Sequence, residues 1–226
     1  MISGKTDIVT EDNTRNSDRS VETQLIVESL AVERGGRRVI SELSFKVAAG
    51  EALLLTGPNG AGKTTLLKAI AGFVPPNTGR VVLTGADGDH PLAERTHYIG
   101  HTNGVRSTLT VEENAQFWAQ YLGGSDAAVA SALERFGLGG LATIPAGYLS
   151  AGQKRRLALA RLLLADRPLW LLDEPSSSLD AAATEVLAGV LDEHVAAGGL
   201  VIAATHLPLG LARSRELRLG FAARAA

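Results

Sequence analysis

Cysteine is absent from the 226 residues, which excludes disulfides, thiolate metal sites and covalent haem attachment through a C-x-x-C-H motif. Basic and acidic residues are nearly balanced, at 22 and 24, which gives a formal net charge of -2. The chain therefore has no basic field for a nucleic acid backbone, and we expect no nucleic acid partner. Long apolar runs are also missing, since the longest fall far short of the ~20 residues that a membrane-spanning helix needs.

The apolar content predicts that most of the chain folds. Hydrophobic types make up 45% of the residues, which is enough for a sizeable core in one domain or in one domain with a subdomain. Residues 1–24 are polar and charged, and they cannot bury enough surface to offset the entropy of ordering. We therefore predict a disordered tail over 1–24 and a folded domain over 25–226.

A glycine-rich run follows a short apolar segment at 52–55 and precedes a helical pattern that opens at Leu66. The run matches G-x-x-x-x-G-K-[ST], and strand, turn and helix are the context that this phosphate-binding loop requires. Its backbone N–H groups and the helix N-terminus attract an anion. A glycine-rich turn without a ligand would not need a lysine and a threonine at these places. The predicted nucleotide-binding residues are Gly57, Pro58, Asn59, Gly60, Ala61, Gly62, Lys63, Thr64 and Thr65.

Two acidic residues follow the apolar run 169–172. The carboxyl ends of strands in an open α/β sheet form the edge at which ligands bind, so both carboxylates are expected beside the phosphate loop. Asp173, together with the Thr64 hydroxyl, is suited to hold Mg²⁺, and Glu174 can accept a proton from an attacking water. A solvated acidic turn is the plainer alternative, and the phosphate loop disfavours it. We predict that this site binds a nucleoside triphosphate and Mg²⁺.

The remaining patterns alternate between strands and helices. A hairpin is expected around Gly35-Gly36, and Thr110 and Ser150 each begin a capping-box pattern at a helix start. This alternation predicts an α/β fold with a mostly parallel core sheet, an N-terminal antiparallel β part and an inserted helical subdomain at about 86–166. Helices are predicted over 111–122, 126–136, 150–164 and 180–197, and further strands over 25–32, 79–85 and 200–205.

The run 149–153 reads LSAGQ and resembles the LSGGQ signature of ATP-binding cassette (ABC) ATPases, with alanine replacing the first glycine. A plain helix N-cap is the alternative interpretation. The resemblance implies a P-loop NTPase of ABC type that works as a homodimer, in which each copy completes the partner's nucleotide site. The residues that it implies for this contact are Ser150, Ala151, Gly152 and Gln153.

The same resemblance implies two further features and shows two departures. Residues 177–180 are similar to the D-loop, and His206 is similar to the catalytic histidine that contacts the γ-phosphate. The family's adenine-stacking aromatic is missing, and Arg34 is the nearest residue that can stack on a base. The family's glutamine, which touches Mg²⁺, is also missing, since residues 98–103 contain none. Thr102, followed by Asn103, is its nearest equivalent.

Segments at 98–101, 109–114 and 205–209 resemble the ATP-binding subunit of the haem exporter of cytochrome c maturation. The resemblance implies integral membrane permease subunits of the CcmB and CcmC type as partners. It also implies a peripheral position on the cytoplasmic face of the inner membrane. The alternatives are the ATPase subunit of another ABC exporter (for a drug, metal or lipid), a soluble ABC-type ATPase and a P-loop metabolite kinase. A single phosphate loop without heptads disfavours the soluble class, and the signature disfavours the kinase.

Three aromatic residues, Phe117, Trp118 and Tyr121, fall within one predicted helix. They either pack inside the helical subdomain or form an exposed rim that meets a membrane subunit.

Overall fold

The structure is a computed structural model, and it describes residues 23–85 and 90–220. The tail predicted over 1–24 lies outside the described residues except for Thr23 and Gln24, and Gln24 already begins the first strand. The strands are β1 (Gln24–Arg34), β2 (Arg37–Ala48), β3 (Ala52–Thr56), β4 (Thr78–Leu83), β5 (Thr96–Ile99), β6 (Leu169–Asp173), β7 (Leu200–Ala204) and β8 (Arg215–Arg218). The helices are α1 (Lys63–Ile70), α2 (Val111–Leu122), α3 (Ala127–Arg135), α4 (Ala151–Ala160) and α5 (Ala181–Ala196).

The strands form two sheets. One is antiparallel with the order β2-β1-β4, and the other has the order β5-β6-β7-β3-β8 with parallel pairing throughout. The hairpin between β1 and β2 turns at Gly35 and Gly36, whose φ angles of 56° and 72° suit a two-residue turn of type I′. The predicted combination of a mostly parallel core, an antiparallel N-terminal part and helices is confirmed.

The central strands of the parallel sheet are covered on both faces: β6 and β7 are buried at every residue and β3 at three of its five, and their residues are apolar except for Thr56 and Asp173. Side chains alternate along a strand, so Leu53 and Leu55 face α1 and the antiparallel sheet. Ala52 and Leu54 belong instead to the layer formed with the helices α2 to α5. This packing holds β3, β6 and β7 rigidly side by side, and the nucleotide-site loops follow these three strands.

Two elements differ from the expectation. Residues 96–99, which were expected in the helical subdomain, form β5 of the core sheet, because they pair with β6 from Thr96↔Leu169 to Ile99↔Leu172. The helical part therefore follows Ile99 instead of starting near residue 86. The strand β8 was not expected, since its mostly exposed residues lack an apolar pattern, and pairing with β3 specifies it.

Across residues 23–85 and 90–220, no helix combines the length and the apolar character needed to cross a bilayer.

Candidate functional site

The carboxyl ends of β3, β6 and β7 meet at one edge of the parallel sheet. Leu55 and Asp173 are both in register with Ala204, so the three loops that follow these strands converge. They enclose a cavity of about 370 Å³, which we call the phosphate cavity. Its lining residues are Val39, Asn59, Gly60, Gly62, Lys63, Thr64, Thr65, Asp173, Glu174 and His206.

The glycines of the phosphate loop are required by its backbone. Gly57 and Gly62 have φ angles of 130° and 101°, which L side chains rarely adopt. A Cβ on Gly57 would lie 2.2 Å from the carbonyl oxygen of Leu219, and one on Gly62 would lie 2.9 Å from the side chains of Val39 and Ile40. The loop therefore packs directly against β2 and the end of β8.

Lys63 is buried, and its ammonium group is surrounded by acceptors. Nζ donates to the carbonyl oxygens of Gly57 (2.7 Å) and Pro58 (3.3 Å), and it lies 3.0 Å from Nε2 of His206. An ammonium group has three protons to donate, so these partners match its capacity.

The two predicted magnesium ligands are in direct contact. Thr64 Oγ1 donates to the carboxylate of Asp173 at 2.9 and 3.0 Å, and Asp173 is only 3% exposed. One hydroxyl and one carboxylate beside a phosphate loop are the donor set that Mg²⁺ takes from proteins when phosphate supplies further oxygens. Burial and the charge of Asp173 raise the pKa of nearby Tyr98 to about 12, so the phenol stays protonated.

Glu174 lines the phosphate cavity beside His206. Its φ of 49° is left-handed, and its backbone N–H donates to Ala204 at 2.8 Å. The carboxylate accepts from the backbone N–H of His206 at 3.4 Å and lies 3.5 Å from Nε2 of that residue. The structure therefore brings Lys63, Thr64, Asp173, Glu174 and His206 into one cavity, as expected.

The signature segment is separate from this group. Ser150 caps α4: its hydroxyl accepts from the N–H of Gln153 at 3.2 Å, and Gln153 Oε1 accepts from the N–H of Ser150 at 2.8 Å. A Cβ on Gly152 would lie 2.8 Å from the carbonyl oxygen of Ser178, so the signature packs against the predicted D-loop. Residues 150–153 do not line the chain's own phosphate cavity.

Two residues of the family pattern are missing here, the adenine-stacking aromatic and the glutamine, and the residues nearest to their places lie in different surroundings. Arg34 is exposed at the end of β1 and does not line the phosphate cavity, whereas Val39 of β2 does. Thr102 lines a second cavity of about 580 Å³, the groove, which shares Thr64 and Asp173 with the phosphate cavity. Asn103 instead accepts a hydrogen bond from Arg155 at 3.1 Å.

Sequence reasoning missed Val39 and Arg155. Val39 carries no chemical group that marks a site, and Arg155 lies in a run of three basic residues typical of a solvated helix face. Arg155 is nevertheless 3% exposed. Burial lowers the pKa of its guanidinium, and the charges of Asp173 and Glu174 oppose that shift.

The aromatic residues of α2 form a rim. Phe117 and Tyr121 are 45% and 72% exposed, and Trp118 and Tyr121 line the groove. Trp118 also packs under the guanidinium of Arg161, 4.3 Å from the ring centre. Phe117 and Tyr121 are exposed, as in the second interpretation, whereas Trp118 packs against the core of the helical part, as in the first.

Comparison with known proteins decides the family. A family model described as ABC transporter matches residues 40–177. The chain belongs to the ABC transporter family. Together with the relatives below, this match shows an ATP-binding, ABC-type ATPase, so the family and the activity expected from the sequence are confirmed.

Similar proteins include two called cytochrome c biogenesis ATP-binding export protein CcmA. The one from Rhodopseudomonas palustris is 51% identical and covers 84% of this chain and 94% of its own length. The one from Mesorhizobium japonicum is 49% identical, and the match covers 88% of this chain and 99% of that protein. Among solved structures, an ATP-binding subunit of an ABC transporter has a TM-score of 0.74 at 30% identity, covering 82% of this chain and 80% of that one. A bacterial Atm1-family ABC exporter with ATP bound has a TM-score of 0.76 at 25% identity, and the match covers 88% of this chain and 37% of that one.

Proposed function

We propose that this chain hydrolyses ATP as the ATP-binding subunit of the haem exporter complex of cytochrome c biogenesis. Its similarity to CcmA proteins, at 51% and 49% identity over nearly their whole lengths, supports that subtype over an exporter of drugs, metals or lipids. One geometric observation carries the hydrolytic part: the Thr64 hydroxyl lies 2.9 Å from Asp173 in a cavity that Lys63 and Glu174 also line.

Each residue of the cavity has a distinct role in this proposal. The backbone of residues 57–65 and the ammonium of Lys63 bind the phosphates, and Lys63 exchanges its loop carbonyls for phosphate oxygens. Thr64 and Asp173 would hold Mg²⁺, which supplies positive charge to the phosphates when bound. Glu174 accepts a proton from the attacking water on its carboxylate. His206, once released by Lys63, contacts the γ-phosphate through Nε2.

The site is completed by a second copy of the chain in a homodimer. The ten-residue helix α4 begins with Ala151, Gly152 and Gln153 after its N-cap Ser150, and Ser150 and Ala151 are exposed. These residues have no part in the cavity of their own chain, so they are free to bind the γ-phosphate held by a partner. Arg34, exposed on the first hairpin, stacks on the adenine.

The partners of the dimer are integral membrane permease subunits of the CcmB and CcmC type, which hold the chain on the cytoplasmic face of the inner membrane. The exposed aromatic rim of Phe117 and Tyr121 supports contact with an apolar partner. Co-purification from membranes tests this part. Permease subunits in the complex are expected, and recovery of ribosomes or DNA instead would contradict it.

The substitution Glu174→Gln tests the hydrolytic assignment. It removes the base and keeps the shape, so hydrolysis should slow by roughly 10²–10⁴-fold while ATP binding persists. An ATP-bound dimer should then accumulate, measured by light scattering during gel filtration. Glu185→Gln on the exposed side of α5 is the control, and it should hydrolyse ATP normally. Normal hydrolysis by Glu174→Gln would remove this residue from its role, and full activity of a strict monomer would rule out the dimer.

A further inference from the structure

Arg155 reaches from the signature helix α4 into the core sheet, where all its donors are used. Its guanidinium has five N–H groups in a fixed plane, and the structure gives it five acceptors. They are the carbonyl oxygens of Pro175 (3.0 Å from Nε), Asp173 (3.0 Å from Nη2), Glu174 (2.8 Å from Nη2) and Gly100 (2.8 Å from Nη1), and Oδ1 of Asn103 (3.1 Å from Nη1).

Three of these acceptors are consecutive carbonyl groups at residues 173–175, which we call the catalytic turn. The turn carries the carboxylates of Asp173 and Glu174, and Glu174 is held in a left-handed conformation with φ of 49°. A non-glycine residue keeps such a conformation only where its surroundings fix it. Arg155 supplies that fixation from behind the turn, since it bonds to the backbone and leaves both carboxylates free to face the phosphate cavity.

The other two acceptors lie in the loop after β5. Gly100, Thr102 and Gly104 of this loop line the groove, and Gly104 also accepts from Nε1 of Trp118 at 3.2 Å. Asn103 contributes the single side-chain acceptor among the five partners of Arg155. One buried cation therefore joins the catalytic turn to the loop that forms a wall of the groove.

We propose that Arg155 is a positioning residue for ATP hydrolysis, which fixes the catalytic turn and connects it through Asn103 to the loop 100–104. The proposal rests on the proposed role of Glu174 as the base. In this proposal Asn103, and not Thr102, connects the loop to the catalytic turn in the segment where the family's glutamine is missing. Lysine cannot replace Arg155, because a single ammonium group offers three donors where five are used.

The first test compares Arg155→Gln with Arg156→Gln. Arg156 is the next residue of α4, and among residues 23–85 and 90–220 it donates to Phe136 and Gly137 of the helical part, so it is the matched control. Below the melting transition of each variant, Arg155→Gln should lower kcat by roughly 10²-fold, because a small misplacement of a catalytic group costs about that factor. The KM for ATP and the affinity for ATP should stay within about threefold, since the phosphate loop is not touched. Arg156→Gln should keep kcat within about twofold of the original chain.

The second test uses Asn103, which is half-buried and can be changed without removing the arginine. Asn103→Ala should lower kcat roughly twofold to tenfold, the equivalent of one hydrogen bond. Asn103→Asp retains an oxygen acceptor for Arg155 and should restore the rate. In the double variant with Arg155→Gln, Asn103→Ala should cause no additional loss, because both changes break the same contact.

The outcomes separate this inference from the proposed function. If Arg155→Gln lowers the melting temperature while kcat of the folded protein stays normal, Arg155 is only structural and the inference is overturned. Equal kcat values for Asn103→Ala and Asn103→Asp, or strictly additive losses in the double variant, would overturn the link to the loop. If Arg155→Gln does not fold, the Asn103 pair decides. In all of these cases slow hydrolysis by Glu174→Gln would leave the proposed function intact.

Discussion

Two helix starts in this protein offer similar groups to an anion, but they are built differently. The helix α1 begins at Gly62, which has φ of 101°, and in the described part of the chain no side chain caps it. The helix α4 begins at Ser150, and a reciprocal capping box with Gln153 satisfies two backbone N–H groups there. Lys63 is buried at the first start, whereas Ser150 is exposed at the second.

The difference explains which helix start makes a site within one chain. At α1 no capping side chain competes with a phosphate for the N-terminal amides, and the loop carbonyls only hold Lys63 in place. At α4 the cap stabilises the helix without a ligand, so the segment stays ordered while it faces away from its own cavity. Binding of a phosphate held by a second copy would therefore distinguish α4 from an ordinary capped helix.

The largest expected effect is at the uncapped helix start. Lys63→Ala removes the buried ammonium, and ATP affinity should fall by at least ~10²-fold because charge-assisted hydrogen bonds to phosphate contribute about 1.5–3 kcal/mol each. Isothermal titration with ATP measures this loss. Lys68→Ala, five residues further along the same helix, is the control and should bind ATP as before. Unchanged affinity in Lys63→Ala would contradict the assignment of the phosphate loop.

An intermediate effect is expected at the capped start, with Thr110 of α2 as an internal reference. Thr110 and Glu113 form the same capping box as Ser150 and Gln153. Ser150→Ala and Thr110→Ala should each cost about 1 kcal/mol of stability, or roughly 2–4 °C in Tm, by calorimetry. Only Ser150→Ala should also slow ATP hydrolysis, by roughly 10–10²-fold, through the lost contact to the partner's phosphate. Equal hydrolysis rates for the two variants would reduce Ser150 to a plain cap.

The smallest effect is expected where this signature departs from its family. Ala151→Gly restores the usual residue at the first position of α4, which is exposed. Glycine loses more backbone entropy than alanine, so stability should fall by at most about 1 kcal/mol in a denaturant titration. Hydrolysis should stay within about twofold, because a backbone N–H is present in both residues. A large rise or fall in kcat would show that the methyl group of Ala151 acts at the dimer contact.

Several elements follow from short-range pattern, and the structure agrees with them closely. The helix expected over 111–122 is α2 with the same bounds, and both predicted capping boxes are formed. The apolar run 169–172 becomes β6, and Asp173 ends it at the expected edge of the sheet. These successes share a physical cause, since caps, turns and strand alternation depend on residues that are neighbours in the chain. The edge strand β8 depends on pairing with β3, more than a hundred residues away, and its own sequence did not predict it.

By itself the sequence determined the phosphate loop, the pair of carboxylates, the two capped helices and the family, because each depends on residue types at fixed short spacings. Only the tertiary structure decided that Arg155 is buried while its neighbour Arg156 reaches a different part of the molecule. The same holds for Arg34, which remains outside the cavity that Val39 lines. A charged side chain becomes buried where acceptors from distant segments converge on it, and that convergence is a property of the packed sheet and helices.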